Sequence, residues 1–301
     1  MKKRIAVTGA NGFVGSYVTE ALLRDGAEVL AINGPGLEIK NKNVKNCYAD
    51  ILNLDDIKSA FKEFQPDSII HLAAIAAPTF KDLAKLYDIN VHGSENIMDA
   101  AKEVCKQGTR LVLVSTAGIY GDSGKEYTDE NSPYNPQNHY SYSKMVMEFL
   151  SRNYRDDLDI KIVRPFNFIG KGQSVNFIVS KFVKAFQEKE PVLKVGNIKT
   201  QRDYIDISFG AWALAKIATN DDVKYDVINV CTGVATSGED IINTLEELTG
   251  YCPKIEVEPA FLRKNDIMRM VGDPTRWLEV AGPNQKPAPV KELLKNLLSA
   301  Q

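Results

Sequence analysis

No stretch of this 301-residue chain stays apolar over the length that crosses a membrane, so a membrane-spanning helix is excluded. Net charge is almost lacking too: the formal value is -2, which gives no general attraction to nucleic acid or an anionic bilayer. Any anionic ligand must therefore be captured by local groups. Cysteine is scarce, and Cys47, Cys105, Cys231 and Cys252 stand too far apart for a zinc or redox spacing. Reduced thiols in a cytoplasmic protein are expected, with no metal centre. Repeats and low-complexity tracts are absent. The basic start Lys2-Lys3-Arg4 before Ile5-Ala6-Val7 imitates a secretion signal, but Asn11 and three glycines break the apolar run at once. It reads as a first strand.

What is present is an ordinary globular composition, 44% hydrophobic and 25% charged, in a length that suits one large or two modest domains. Short apolar runs at 4–8, 28–32, 68–73, 110–115, 161–164 and 227–231 predict strands. Helical spacing is predicted between them at 15–25, 57–64, 91–104 and 141–154, and later at 239–248 and 290–298. The alternation predicts an α/β fold, a doubly wound parallel sheet with helices on both faces. After Pro165 the chain turns polar and glycine-rich. That change predicts a main domain from 1–165 and 204–235, and a smaller C-terminal α/β substrate-binding region from 166–203 and 236–301.

The turn Gly9-Ala10-Asn11-Gly12-Phe13-Val14-Gly15 lies between the first strand and the first helix. Gly9 suits a tight turn, Gly12 a close backbone approach to a pyrophosphate, and Gly15 close helix–strand packing. The helix N-terminus adds free N–H groups and its positive dipole end. A cofactor of the NAD or NADP kind is expected there. The reader of the adenine ribose belongs at the end of the second strand, about 20 residues on. Asn33 stands at that place with neither a carboxylate nor an arginine, so the choice between NAD and NADP stays open. Asp50 and Ile51, with Leu72, Ala73 and Ala74, are candidate cofactor walls.

Tyr140 and Lys144 stand four residues apart, on one helical face and roughly 6 Å apart at Cβ. An ammonium there is expected to draw the phenol's pKa from about 10 toward neutrality, making a proton donor or acceptor. Tyr142 has no such partner, since Val146 follows it by four. Ser115 and Thr116 close the strand at 110–115, where ligands of parallel sheets collect.

Taken together with Asn90, the run Ser115-Thr116-Ala117-Gly118-Ile119-Tyr120-Gly121 and Arg164-Pro165-Phe166-Asn167, these residues resemble the extended short-chain dehydrogenase/reductase family, which has a Rossmann fold. The resemblance implies a catalytic set of Thr116, Tyr140 and Lys144. It implies that Asn90 supports the active-site helix, that Pro165 and Asn167 flank the nicotinamide, and that Ser115 lies on the cofactor side. His139 stands where many members have proline and is taken as an ordinary loop residue. The segments 166–174 and 194–204 resemble the nucleotide-sugar branch, of the GDP-4-keto-6-deoxymannose reductase type. Arg202 and Arg263 are candidates to clamp a diphosphate, because guanidinium forks match phosphate oxygens. Asn167 is a further donor, and Thr116, Ala117, Gly118, Lys181, Val195 and Asn197 complete the expected contacts with the nucleotide sugar.

Related 4,6-dehydratases place a carboxylate two residues after the catalytic threonine, where this chain has Gly118. Reduction of a C4 ketone by NAD(P)H is the expected reaction. Rivals are a C4 epimerase with tightly held NAD and a non-catalytic dinucleotide-binding sensor or scaffold. The resemblance also implies a homodimer joined through the helices at 91–104 and 141–154.

Overall fold

A computed structural model describes residues 2–34, 36–262, 266–282 and 285–299. Its main sheet is built from β1 (Arg4–Thr8), β2 (Glu28–Asn33), β3 (Val44–Tyr48), β4 (Ser68–His71), β5 (Arg110–Val114) and β6 (Asp159–Pro165). Three strands of other sheets intervene, β7 (Asn167–Ile169), β8 (Val192–Val195) and β9 (Gln201–Asp206), before β10 (Val227–Val230) completes it. All pairings in it are parallel, in the order β10-β6-β5-β4-β1-β2-β3. Central strands are apolar throughout because both faces are covered: Ile5, Ala6, Val7, Ile69, Ile70, Leu111 and Val112 are all wholly buried.

One face packs on α1 (Phe13–Arg24) and α7 (Ile207–Thr219) through Val18, Leu22 and Leu214. The other packs on α2 (Leu54–Phe64) and α4 (Gly93–Val104) through Ile57, Phe61, Ile97 and Met98. Burying each such side chain contributes about 1.5–3 kcal/mol. A short α3 (Leu83–Tyr87) runs through a π-helical turn, Asp88–His92, into α4. α5 (His139–Leu150) begins after the N-cap Asn138, so His139 is its first helical residue and not a loop residue.

Strand order places the candidate site. From β1 the chain moves outward to β2 and β3, then returns so that β4 pairs on the opposite side of β1. Thr8 consequently faces Ile32 on one side and His71 on the other. Connections leave in opposite directions at this point and open a crevice beyond the strand ends.

A second body of structure follows β6. β9 pairs with β7, with β11 (Ala235–Ser237) and with β13 (Arg269–Met270), while β8 pairs with β12 (Lys254–Val257). α6 (Ile178–Gln187), α8 (Gly238–Thr249) and α10 (Val290–Ser299) enclose Phe182, Phe186, Leu193, Ile241, Leu245 and Leu294. α8 begins at a reciprocal cap between Ser237 and Asp240 and stops at Gly250, whose φ of 66° suits glycine. α9 (Thr275–Ala281) departs from the division expected of residues 236–301. Its Trp277 is wholly buried in the main core, with ring centroids 5.7 Å from Phe209 and 5.6 Å from Trp212 of α7. Among the described residues no helix is long and apolar enough to cross a membrane.

Candidate active site

The glycine turn is built by three tight approaches. Gly9 has φ +67°, and a Cβ there would lie 2.8 Å from the Ala73 backbone nitrogen, so β1 and β4 converge only with glycine. A Cβ on Gly15 would lie 2.2 Å from the Gly9 carbonyl oxygen and 2.7 Å from Ala10 Cα. Gly15 therefore seats α1 on the turn itself, not on a strand. Gly12 is less constrained, its Cβ meeting only the Gly9 oxygen at 3.1 Å, and it caps α1 with no side-chain hydrogen bond. The helix thus presents its positive end without a built-in anion.

Asn33 holds this turn from β2. Its Oδ1 accepts from Asn11 N–H at 2.8 Å, while its buried Nδ2 has no partner among the described residues. Such an orphan donor is destabilising unless a ligand atom meets it. The buried Ser115 hydroxyl is a second orphan, at the end of β5. Leu72 N–H donates to the Thr8 carbonyl at 3.2 Å, and Ala73 N–H to Thr8 Oγ1, also at 3.2 Å. Asp50 is exposed beyond β3 and accepts from Leu52 N–H at 2.9 Å, whereas Ile51 is buried with its carbonyl held by Asn96. Uncapped helix, close-approach glycines and orphan donors together fit a dinucleotide.

His71, at the end of β4 and the start of the 71–74 cofactor wall, ties the crevice floor together. Ser94 Oγ donates to the Asn90 carbonyl at 2.7 Å, so it accepts from His71 Nε2 at 2.9 Å. His71 Nδ1 must then accept from the Thr8 hydroxyl at 2.8 Å. Burial first, and the Lys144 charge second, push this imidazole down to about 3. The ring stays neutral, and the folded state loses stability relative to the unfolded chain as pH falls from the ordinary histidine range toward that value. Asn90 is wholly buried: its Oδ1 accepts from Ile75 N–H at 2.8 Å, and its Nδ2 donates to Ser143 Oγ of α5 at 3.0 Å.

Thr116, Tyr140 and Lys144 meet at the end of β5. Thr116 Oγ1 accepts from Gly118 N–H at 3.1 Å, and a hydrogen bond joins the Thr116 and Tyr140 hydroxyls. Lys144 is buried and donates to the Val114 carbonyl at 2.8 Å. The expected drop in the tyrosine's pKa does not occur. Protein packed around the half-buried Tyr140 pushes its phenol up to about 12, against the Thr116 hydrogen bond. Desolvation instead pulls Lys144 down to about 8, partly opposed by Glu148. Lys144 therefore favours the folded state more as pH rises from about 8 toward its unfolded value. Ala117 is buried, and a Cβ at Gly118 would lie 2.5 Å from Ser141 Oγ. A carboxylate cannot enter there unless Ser141 moves.

Sequence reasoning missed the buried ion pair behind this trio. Arg164 is quoted above only within a motif, yet its Nε and Nη2 donate to Glu148 at 3.0 and 2.6 Å. The four-residue spacing of Tyr140, Lys144 and Glu148 was the available signal. Asp203 was missed as well. This buried carboxylate accepts from Thr232 N–H and Oγ1, Gly233 N–H and Gly272 N–H, joining two loops to β9. Burial raises its pKa against those bonds.

The expected substrate contacts divide. Pro165 is buried at the end of β6, and Asn167 donates to the Asp203 carbonyl at 3.0 Å, which commits one of its N–H groups. Arg202 Nη1 donates to the Ile267 carbonyl at 2.8 Å. Lys181 Nζ donates to the Lys194 carbonyl at 2.8 Å and lies 4.1 Å from the Phe261 ring centroid. Asn197 touches Met268 Sδ at 3.7 Å. Lys181, Asn197 and Arg202 thus contact Phe261, Met268 and Ile267 respectively. The Val195 side chain is a correction: it packs into the core of the smaller region, leaving only backbone for any ligand. Arg263 lies outside the described residues.

A switch-point crevice with a glycine turn, orphan donors and a Thr–Tyr–Lys trio defines a Rossmann-type dinucleotide-binding protein. Residues 5–231 match the NAD dependent epimerase/dehydratase family, and the chain belongs to it. GDP-6-deoxy-D-talose 4-dehydrogenase of Aggregatibacter actinomycetemcomitans is 31% identical over 98% of this chain and 96% of its own. GDP-6-deoxy-D-mannose reductase of Pseudomonas aeruginosa is 28% identical over 99% and 97%. Among solved structures, UDP-glucose 4-epimerase of Thermotoga maritima with UDP-glucose superposes with a TM-score of 0.85. It is 25% identical and covers 98% of this chain and 97% of its own.

Proposed function

We propose that the protein reduces the C4 ketone of a nucleoside-diphospho-4-keto-6-deoxyhexose, of the GDP-4-keto-6-deoxymannose type. The observation that carries this reading is the set of Thr116, Tyr140 and Lys144 at the end of β5, with Gly118 where elimination would need an acid. Two relatives that align almost end to end are named for GDP-6-deoxyhexose redox chemistry. Residues 9–15, Asn33 and the ends of β4 and β5 would hold a reduced nicotinamide, which would be the hydride source when bound. Tyr140 gives its proton to the emerging C4 oxygen, and Thr116 hydrogen-bonds the same oxygen. Below about pH 8 Lys144 carries the charge that favours phenolate formation as the proton leaves. Lys181, Asn197 and Arg202 hold the nucleoside diphosphate, which fixes the sugar over the cofactor. In this reading residues 1–165 and 204–235 bind the cofactor, and 166–203 and 236–301 bind the sugar nucleotide, with α9 returned to the main core. The test is to incubate protein with GDP- and dTDP-4-keto-6-deoxyhexoses plus NADH or NADPH and identify the product. Net cofactor oxidation with a reduced sugar is expected. Interconversion at C4 without net oxidation would indicate an epimerase.

Asn33 bears on cofactor choice. With Oδ1 committed to Asn11, only its Nδ2 donor faces a ligand, which suits a 2′-phosphate or a ribose oxygen. An aspartate would keep the Asn11 bond, accept from a 2′-hydroxyl and repel a phosphate. Asn33→Asp is expected to weaken NADPH binding relative to NADH by about tenfold or more in fluorescence titrations, the cost of one close like-charge contact. An unchanged ratio would remove Asn33 from the choice.

A homodimer through α4 and α5 also belongs to this reading. Tyr142 and Phe149 of α5 are large and exposed, as an interface would use them. Sedimentation is expected to show a dimer at micromolar concentration, and a monomer there would refute it.

A further inference from the structure

Behind the trio lies a buried carboxylate that the proposed reaction does not touch. Tyr140, Lys144 and Glu148 follow one another at four-residue intervals along α5 and form a single stripe. Glu148 Oε1 accepts from Arg164 Nε at 3.0 Å. Oε2 accepts from Arg164 Nη2 at 2.6 Å and from the Tyr134 hydroxyl at 2.9 Å. Arg164 donates further to the Tyr120 hydroxyl at 2.8 Å and to the Glu130 carbonyl at 3.1 Å. Both side chains are about 2% exposed or less. A two-pronged fork in so dry a place fixes the plane of the carboxylate as well as its position. α5 is thereby pinned twice within one turn, to β6 through Glu148 and to β5 through Lys144 on the Val114 carbonyl.

We propose that Glu148 is a positioning residue: clamped by Arg164, it fixes the rotation of α5 and holds a carboxylate one turn behind Lys144, keeping that lysine charged for the site. The role rests on the reading of Lys144 given above. Charged and titratable groups flank Lys144 on α5 and on the strands packed against it. Tyr140 and Glu148 lie on its own helix, His71 on β4 is neutral, and the Arg164 charge on β6 is neutralised by Glu148. Glu148 is the one whose charge opposes the desolvation of Lys144. A buried ion pair often adds little net stability, and this one is explained better by what it does to its neighbour.

The test follows Lys144 directly, with neither cofactor nor sugar in the tube, so its failure is separate from failure of the proposed reaction. Protein labelled with 13C at lysine Cε is titrated by NMR, and the Lys144 resonance is assigned with Lys144→Met. A wild-type midpoint near 8 is expected. Glu148→Gln is expected to lower that midpoint by about one pH unit, the usual effect of losing an opposite charge at this range. Where Glu148→Gln does not fold, Glu148→Met with Arg164→Met replaces the pair by apolar side chains, a change that is often tolerated. A fall in the same direction but smaller is expected, because the Arg164 charge leaves together with the carboxylate. An unmoved midpoint in either folded variant, with only a lower Tm, would reduce Glu148 to a structural role and overturn the proposal.

Discussion

Tyr140→Phe is expected to lower turnover about 10²–10⁴-fold, the range that a positioned general acid supplies, while NAD(P)H affinity changes only a few-fold. The phenol hydroxyl is hydrogen-bonded to Thr116, and a pKa raised to about 12 keeps it protonated across the working range. Removing it takes away the proton but little of the packing. The Tyr140 carbonyl still accepts from Ser143 Oγ at 2.8 Å, and Lys144 still bonds to Val114, so α5 stays in place. Single-turnover measurements with bound cofactor should place the loss on the chemical step. Near-normal turnover would show that the proton comes from elsewhere.

Gly15→Ala should act on binding and folding together. A Cβ at 2.2 Å from one backbone oxygen and 2.7 Å from a backbone carbon cannot be relieved by rotating a side chain. Either α1 lifts from the turn or the turn moves, and the turn is tied to Ile32 through Gly9 N–H at 2.9 Å and to Asn33 through Asn11. We expect a stability loss of about 1–3 kcal/mol, the usual range for overpacking, seen as a lower Tm, and at least a tenfold loss of NAD(P)H affinity. Gly12→Ala makes the comparison. Its Cβ would meet only the Gly9 oxygen at 3.1 Å, so folding should survive while the approach to phosphate is narrowed. Equal effects of the two substitutions on Tm would contradict this assignment of roles.

Much of this architecture is legible in the chain because buried parallel strands and an interrupted helix start leave local marks. The runs at 4–8 and 110–115, the glycine turn and the Tyr140/Lys144 spacing are of that kind. β3 left no mark: it is an edge strand with only Val44 buried, and its Lys45-Asn46 pair reads as loop. α7 escaped for the opposite reason. Covered by the sheet, α1 and α9, it is apolar around most of its circumference and carries little helical alternation. Glu148 on a helix reads as a solvated charge until β6 delivers Arg164 to it, which is a tertiary fact. The direction of the Tyr140 shift was missed likewise, because spacing reports proximity to an ammonium and says nothing of desolvation. At this site burial is the larger effect.

The most direct measurement of the central claim uses NAD(P)H deuterated at the transferable C4 position of the nicotinamide, with the 4-keto-6-deoxyhexose nucleotide and solvent in ordinary water. The account predicts one deuterium at sugar C4, none elsewhere on the ring, and one cofactor oxidised per product formed. A product formed without deuterium at C4, or a sugar altered with no cofactor consumed, would contradict it.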